Sequence, residues 1–98
     1  DPQTGFHATG EIPCAIAGGE DSCPFGVVRR GGGTADVSID LPDGRKRVIF
    51  FHAGRAVSFD RSQANGDVEM NASRNGDVTT VTIGEERYEI FDAVVFGG

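Results

Sequence analysis

The sequence predicts an all-β domain, a small antiparallel β-barrel or sandwich of about eight short strands with one disulfide. Three observations lead to this prediction. Apolar and polar residues alternate with a period of two along most of the chain. Glycine supplies 15 of the 98 residues, which favours many tight turns between short strands. No segment has the periodicity of a convincing helix.

Length and composition indicate one domain, 1–98, whose residues 1–5 we expect to be a flexible N-terminal segment. A hydrophobic content of 38% with seven Phe is enough for one thin core. The apolar runs are too short for membrane insertion. The net charge of −6 argues against nucleic-acid binding, which needs clustered Lys and Arg. The chain begins at Asp1, so we expect either a removed leader or an excised domain.

The middle of the chain predicts a three-stranded meander from Thr34 to Phe59. The stretch TADVSIDL alternates apolar and polar residues, and PDGR after it has turn chemistry. KRVIFF runs back with apolar residues on both faces, HAGR turns again, and AVSF makes the third strand. The charges of Arg45, Lys46 and Arg47 lie beside the first turn, where we expect them to be solvated.

The remaining strands are predicted on both sides of this meander. FHATGEI and FGVVRR are expected to flank the loop between the cysteines. Three further strands are predicted after the meander: DVEMNA, VTTVTI and RYEIF. The first two are joined by the hairpin signal Asn75-Gly76, and the last two by the turn GEE. AVVFGG is expected to close the chain as a last short strand. Closure into a barrel is favoured because it removes exposed edges.

Cys14 and Cys23 are the two cysteines of the chain. Their spacing is not that of a redox C-x-x-C motif, and the isolated His7 and His52 do not complete a zinc site. A disulfide is favoured over metal or redox chemistry and over two free thiols. It would stabilise by roughly 2.7 kcal/mol in the chain-entropy model. A persistent disulfide implies an oxidising compartment, so we expect a periplasmic or secreted protein.

Two polar stretches contain residue types that are found in ligand sites. Asp60 to Glu69 is rich in oxygen-bearing side chains, but Ala64 stands where a calcium loop needs an oxygen ligand, so a polar inter-strand loop is favoured. RRGGGT lacks the Lys and the following helix of a phosphate-binding loop, and a flexible entry to a strand is favoured. We therefore expect no metal and no cofactor.

The residues also give little basis for catalysis. His52, Ser58 and Asp60 are of the types found in a catalytic triad, but nothing places them together. Glu85 and Glu86 are adjacent and cannot share one face of a strand, so they are expected to decorate a turn. We expect that the protein is not an enzyme.

Phe50 and Phe51 are neighbours in a predicted strand and must face opposite sides. One of them is either exposed as a contact surface or covered on the outside of a barrel wall.

The chain resembles an uncharacterised family of small exported alphaproteobacterial domains. Three segments carry the resemblance: CPFGVVRRGGGTADVSIDLPDGRKRVIFF, DRSQANGD and IGEERYEIFDAVVFGG. The resemblance runs from Ala8 to Gly98 and is most specific at PDGR and ERYEI, with Phe91 where the family pattern has Pro. It implies export, with a signal peptide removed, and a natural C-terminus at Gly97-Gly98. It supplies no activity and no binding residues.

A weaker analogy links the chain to periplasmic lysozyme inhibitors, which are also small, exported, disulfide-bonded barrels. Their inhibitory loop reads Ser-Gly-x-x-Tyr, whereas Ile83 to Tyr88 lacks the Ser and has one residue too many. The inhibitory residues therefore do not carry over, and the analogy is limited to fold and charge.

The resulting hypothesis is a non-catalytic exported module of the bacterial envelope that binds a basic protein or a cell-wall component. Its expected contacts are turn-borne: Arg45, Lys46, Gly84, Glu85, Glu86 and Arg87. The alternatives are a lysozyme-inhibitor-like protein, and a small-ligand carrier or enzyme that uses the barrel interior. The sequence does not identify the partner, the oligomeric state or the strand order.

Overall fold

The computed structural model describes residues 5–63 and 67–97, which form one sheet of eight antiparallel strands curled into a nearly closed barrel. The predicted fold class is confirmed. In chain order the strands are β1 (Ala8–Ile16), β2 (Gly19–Gly31), β3 (Thr34–Asp40), β4 (Lys46–His52), β5 (Arg55–Phe59), β6 (Met70–Asn75), β7 (Val78–Ile83) and β8 (Glu86–Phe91). A 3₁₀ turn, Arg61–Gln63, follows β5, and a short helix, α1 (Asp92–Phe96), follows β8.

The strand order is β5-β4-β3-β2-β1-β8-β7-β6. Every neighbouring pair is a hairpin except β1 and β8, which pair at Cys14↔Tyr88 and Ala15↔Arg87. The two ends of this order, β5 and β6, are not hydrogen-bonded to each other. The closure favoured by the sequence is therefore nearly complete, with one gap between β5 and β6, which we call the seam.

The meander predicted from Thr34 to Phe59 is confirmed as β3, β4 and β5. The turn after β3 is closed by the Leu41 N–H donating to the Arg45 carbonyl at 2.9 Å, with Gly44 at a φ of 89°. The Asn75-Gly76 hairpin is confirmed as well, since Asn75 pairs with Val78 across it. The turn-forming residues in the sequence therefore predicted the positions of these connections correctly.

The predicted last strand is wrong, because AVVF lies in helix α1. The Asp92 N–H donates to the Asp77 carbonyl at 2.8 Å, just beyond the last β7–β8 pair. Val94 and Val95 are adjacent and both buried, which a helix at the barrel end allows and strand alternation does not. The Arg29 side chain donates to the Val94 and Ala93 carbonyls at 3.0 and 3.2 Å and so satisfies the C-terminal end of the helix.

The loop expected between the cysteines is mostly strand. Cys14 and Cys23 form the predicted disulfide, but they lie within the β1–β2 hairpin, on opposite strands. Only Ala17 and Gly18 separate the strands, both at positive φ. Residues 19–22 are paired with β1 although they are exposed, and their glycine and acidic composition concealed this pairing.

The barrel interior is filled by apolar side chains from all strands except the exposed β6, joined by α1. The buried members are Ile12, Cys14, Cys23, Val27, Ala35, Val37, Ile39, Leu41, Ile49, Phe51, Phe59, Val81, Ile83, Tyr88, Ile90, Val94 and Val95. Among the described residues no helix has the length and hydrophobicity needed to cross a membrane. Residues 1–4 lie outside the described residues, so the flexibility expected for 1–5 stays a prediction.

One charged residue shares this interior. Arg47 is 2% exposed, and the expectation that it would be solvated is wrong because it has the inward phase of Ile49 and Phe51 on β4. Its Nε and Nη2 donate to the two carboxylate oxygens of Glu86, each at 2.7 Å, and the Tyr88 hydroxyl donates to Glu86 Oε1 at 2.6 Å. The buried charge is thereby paired and hydrogen-bonded.

Candidate binding site at the barrel seam

The expected contacts at the β3–β4 turn are paired within the turn. Arg45 Nε donates to Asp43 at 2.7 Å, and the backbone and side-chain hydrogen bonds from Arg45 lower the pKa of the Asp43 carboxyl. Lys46 forms an ion pair with Asp40 at 2.5 Å. These charges are solvent-accessible, and their role in partner contact stays a prediction.

The β7–β8 turn carries the other expected contacts. Gly84 and Glu85 are exposed in the turn, and Arg87 forms a surface ion pair with Glu20 at 2.9 Å. Glu86 instead points inward to Arg47, so its carboxylate is occupied inside the protein. Because Arg47 and Glu86 touch, the two turns lie at the same end of the barrel. Partner contact through this end also stays a prediction.

The Arg47–Glu86–Tyr88 cluster has shifted proton affinities. Burial alone would raise the pKa of Glu86, but hydrogen bonds from Arg47 and Tyr88 outweigh it and hold that pKa below its usual value. Burial, reinforced by the neighbouring carboxylate, raises the pKa of Tyr88. The hydrogen bond to Glu86 raises the pKa of Arg47. All three groups keep their ordinary charge at neutral pH, which fits a structural role.

The triad-type residues have other neighbours. The Asp60 carboxylate accepts the Ser62 N–H at 2.9 Å, which lowers the pKa of Asp60. His52 Nδ1 lies 3.4 Å from Thr34 Oγ1. The structure therefore shows no hydrogen bond among His52, Ser58 and Asp60 within the described residues.

The two polar stretches also acquire structural contacts. Arg30 pairs with Asp36 at 2.5 Å and Arg29 binds α1, so both guanidinium groups of RRGGGT are engaged. The candidate calcium loop lies partly outside the described residues, at 64–66. Within 5–63 and 67–97 no three His, Cys, Asp or Glu side chains are grouped for a metal ion.

The adjacent phenylalanines face opposite sides as expected, with Phe51 buried and Phe50 half-buried on the outside. The most exposed large apolar side chains are elsewhere: Val57, Phe91 and Phe96. Val57 lies on β5, beside the seam.

The seam presents two facing strand edges. β5 pairs with β4 and β6 pairs with β7, and among residues 5–63 and 67–97 no strand pairs with the second edge of either. Two open clefts lie along it. The larger cleft, of about 550 Å³, is lined by residues at the start of β5, by residues of β6 and by Thr79. The smaller cleft, of about 360 Å³, is lined by Val57, Phe59, Arg61 and Met70 among others. Unpaired edges of this kind are the usual place for strand addition by another chain.

Two arginines bridge the seam, one at each end. Arg61, just after β5, donates from Nη1 to the Val68 carbonyl at 2.7 Å and stacks its guanidinium 4.6 Å from the centre of the Phe59 ring. Arg74, on β6, donates from Nη1 to the Gly54 carbonyl at 3.4 Å and is ion-paired with Asp92. Side-chain bonds thus hold the two edges near each other without a backbone ladder between them.

Sequence reasoning did not locate the seam, because it favoured closure and left the strand order open. One signal was present, since β6 reads MNASRN and is too polar to be covered on either face. A strand of that composition belongs at an edge.

Fold and seam together define a small antiparallel β-barrel that is stapled by a disulfide and open along one side. No family model, curated protein or solved structure matches the chain.

Proposed function

We propose that this protein is a non-catalytic binding module that is exported to the periplasm or the cell exterior and captures a protein partner there. The observation that carries the proposal is the unpaired pair of edges at the seam, because a free sheet edge offers a row of backbone donors and acceptors to a second chain.

The filled interior supports a surface-based function. Large side chains such as Ile39, Ile49 and Tyr88 occupy the inside of the barrel, where a ligand carrier would need space. The lysozyme-inhibitor alternative gains no support from the Gly84 to Tyr88 loop, since the Tyr88 hydroxyl is turned inward to Glu86.

The disulfide supports export. A bond between Cys14 and Cys23 persists where the environment is oxidising and is rare in a reducing cytosol. Thiol alkylation of the protein taken directly from its native cells tests this point. We expect both thiols to be blocked by the disulfide, and full alkylation without a reductant would contradict export.

Site-specific photo-crosslinking in the native compartment tests the binding function. A photoreactive amino acid replaces Val57 beside the seam, Glu85 in the β7–β8 turn, or Thr9, an exposed control position on β1. We expect a defined adduct from Val57 or Glu85 and none from Thr9. No defined adduct at either test position would contradict the proposal.

A further inference from the structure

The hydrogen-bonding phase of β6 determines which backbone groups face the seam. The Gly84 N–H donates to the Glu69 carbonyl at 3.3 Å, in register with the β6–β7 ladder. Since alternate residues of a strand bond to the same side, Asn71 and Ser73 bond towards β7. The N–H and C=O groups of Met70, Ala72 and Arg74 therefore point into the seam.

The phase of β5 gives the opposite edge in the same way. The Asp60 N–H donates to the Val48 carbonyl at 2.8 Å, so the backbone polar groups of Phe59 are directed away from β4 and towards the seam. Strand β6, Met70–Asn75, is six residues long, or about 20 Å at about 3.3 Å per residue. This length suits a short extended peptide.

The larger cleft leaves room for a peptide backbone. Its lining is mostly small: Ala53, Gly54, Ala56, Ala72 and Ser73. Small side chains on both strands allow another main chain to approach the edge closely.

One threonine side chain lines the same cleft. Thr79 on β7 lines it and is 4% exposed. Within the described residues the Thr79 side chain has no hydrogen-bond partner, while its oxygen remains accessible. Because this oxygen is accessible at the cleft, it can hydrogen-bond either to water or to a polar group of an incoming chain.

The charged side chains that line the larger cleft indicate the charge of the peptide that would bind there. Arg55 and Arg74 line it, and no carboxylate does, although the whole chain has a net charge of −6. Asp92 neutralises Arg74, whereas Arg55 is exposed and has no ion pair within the described residues. Arg55 is therefore the cation available to an incoming carboxylate.

We propose that the seam is a docking site for an extended acidic peptide segment of another protein. The segment pairs through its backbone with the free edge of β6, and one of its carboxylates binds Arg55. This inference rests on the proposed binding function and adds the location of the site and the chemistry of the partner.

Three synthetic hexapeptides test the proposal by fluorescence anisotropy with the oxidised protein. The first alternates glutamate and valine, the second has lysine for each glutamate, and the third is the glutamate peptide with every backbone amide N-methylated. We expect only the first to bind, because the second has the wrong charge and the third cannot donate to β6. Equal binding of the first and third would overturn strand pairing, and equal binding of the first and second would overturn the acidic preference.

Amide resonances locate the bound peptide. We expect the glutamate peptide to shift the amides of Met70, Ala72 and Arg74 and to protect them from hydrogen exchange. The Asn71 and Ser73 amides, which face β7, serve as internal controls and should gain no protection. Absence of any change at the three seam amides at about 1 mM peptide, which detects even weak complexes, would overturn the site.

Charge variants separate the role of Arg55 from general charge. We expect Arg55→Glu to weaken glutamate-peptide binding by about tenfold. The matched control Arg30→Glu changes an exposed arginine on β2, away from the seam, and should alter binding by less than about twofold. Equal losses in both variants would show that only net charge matters and would overturn the role of Arg55.

The crosslinking experiment and the peptide experiments test the binding function and the seam site separately. An adduct through Glu85 alone, together with no peptide binding, would overturn the seam site and leave the binding function standing. Peptide binding at the seam with no adduct at either position in the native compartment would contradict the proposed function and leave the docking chemistry standing.

Discussion

Glu86 at the start of β8 neutralises Arg47 near the start of β4 inside the barrel, with both guanidinium–carboxylate contacts at 2.7 Å. The two side chains are 2% and 12% exposed. A buried pair of this kind stabilises little compared with apolar residues, but removal of one partner leaves an uncompensated buried charge. The cluster is therefore sensitive to single substitutions.

Glu86→Ala should lower the free energy of unfolding by about 3–5 kcal/mol, because Arg47 loses both of its carboxylate contacts. Urea unfolding followed by circular dichroism measures the change. The double variant Arg47→Met with Glu86→Leu should recover most of the loss, since no buried charge remains. A loss below about 1 kcal/mol for Glu86→Ala, the usual value of an exposed pair, would mean that Arg47 finds water instead.

The same pair predicts a loss of stability in acid. Because the folded pKa of Glu86 is lowered, its contribution is present above the ordinary carboxyl pKa of 4.5 and declines as the pH falls through the lower folded value. Glu86→Gln should therefore show a shallower fall in unfolding free energy than the parent between about pH 6 and about pH 3. Parallel curves for the two proteins would contradict the lowered pKa.

Removal of the disulfide should destabilise the β1–β2 hairpin. Cys14→Ala with Cys23→Ala is expected to lower the unfolding free energy by about 2–3 kcal/mol, which corresponds to the closure entropy of a loop of this size. Comparison of the double variant with the oxidised parent in urea gives the value. No difference would indicate that the paired strands already restrict the unfolded chain as much as the bond does.

The glycines of the β2–β3 turn provide a matched pair of substitutions. A Cβ on Gly33 would lie 2.4 Å from the Gly54 backbone nitrogen and 2.8 Å from the Phe96 ring, whereas a Cβ on Gly32 would meet nothing within 4 Å. Both residues have positive φ, so both changes to Ala cost about 1–2 kcal/mol of backbone strain. Gly33→Ala should cost clearly more in thermal unfolding, and equal losses would mean that the Gly54 backbone and α1 both move away without penalty.

The sequence predicted the parts of the fold that depend on local chemistry. Period-two alternation located β3 and β4, and Asn75-Gly76 located the β6–β7 hairpin. It failed where tertiary contacts decide the outcome. Helix α1 is stabilised by burial of Val94 and Val95 and by the Arg29 side chain, none of which is visible in five residues that also suit a strand.

The candidate site was less predictable than the fold. The predicted contacts were charges on turns, and charge alone does not reveal that Glu86 faces inward while Arg55 has no ion pair in the part of the chain that the structure describes. The seam exists because β5 and β6 do not pair with each other. Its position can be predicted only when the order of the strands in the sheet is known. The polar composition of β6 was the available signal, and its meaning became clear only with β5 placed opposite.

The short ladder between β1 and β8 has a consequence for motion. It joins the two strands at Cys14↔Tyr88 and Ala15↔Arg87, whereas β1 and β2 are paired from Ala8 to Ile16. The sheet is thus a five-stranded leaf, β1 to β5, and a three-stranded leaf, β6 to β8, connected through a narrow hinge. Rotation about this hinge would widen the seam while every hairpin stays intact, and it would be opposed by the buried Arg47–Glu86 pair, which joins the two leaves.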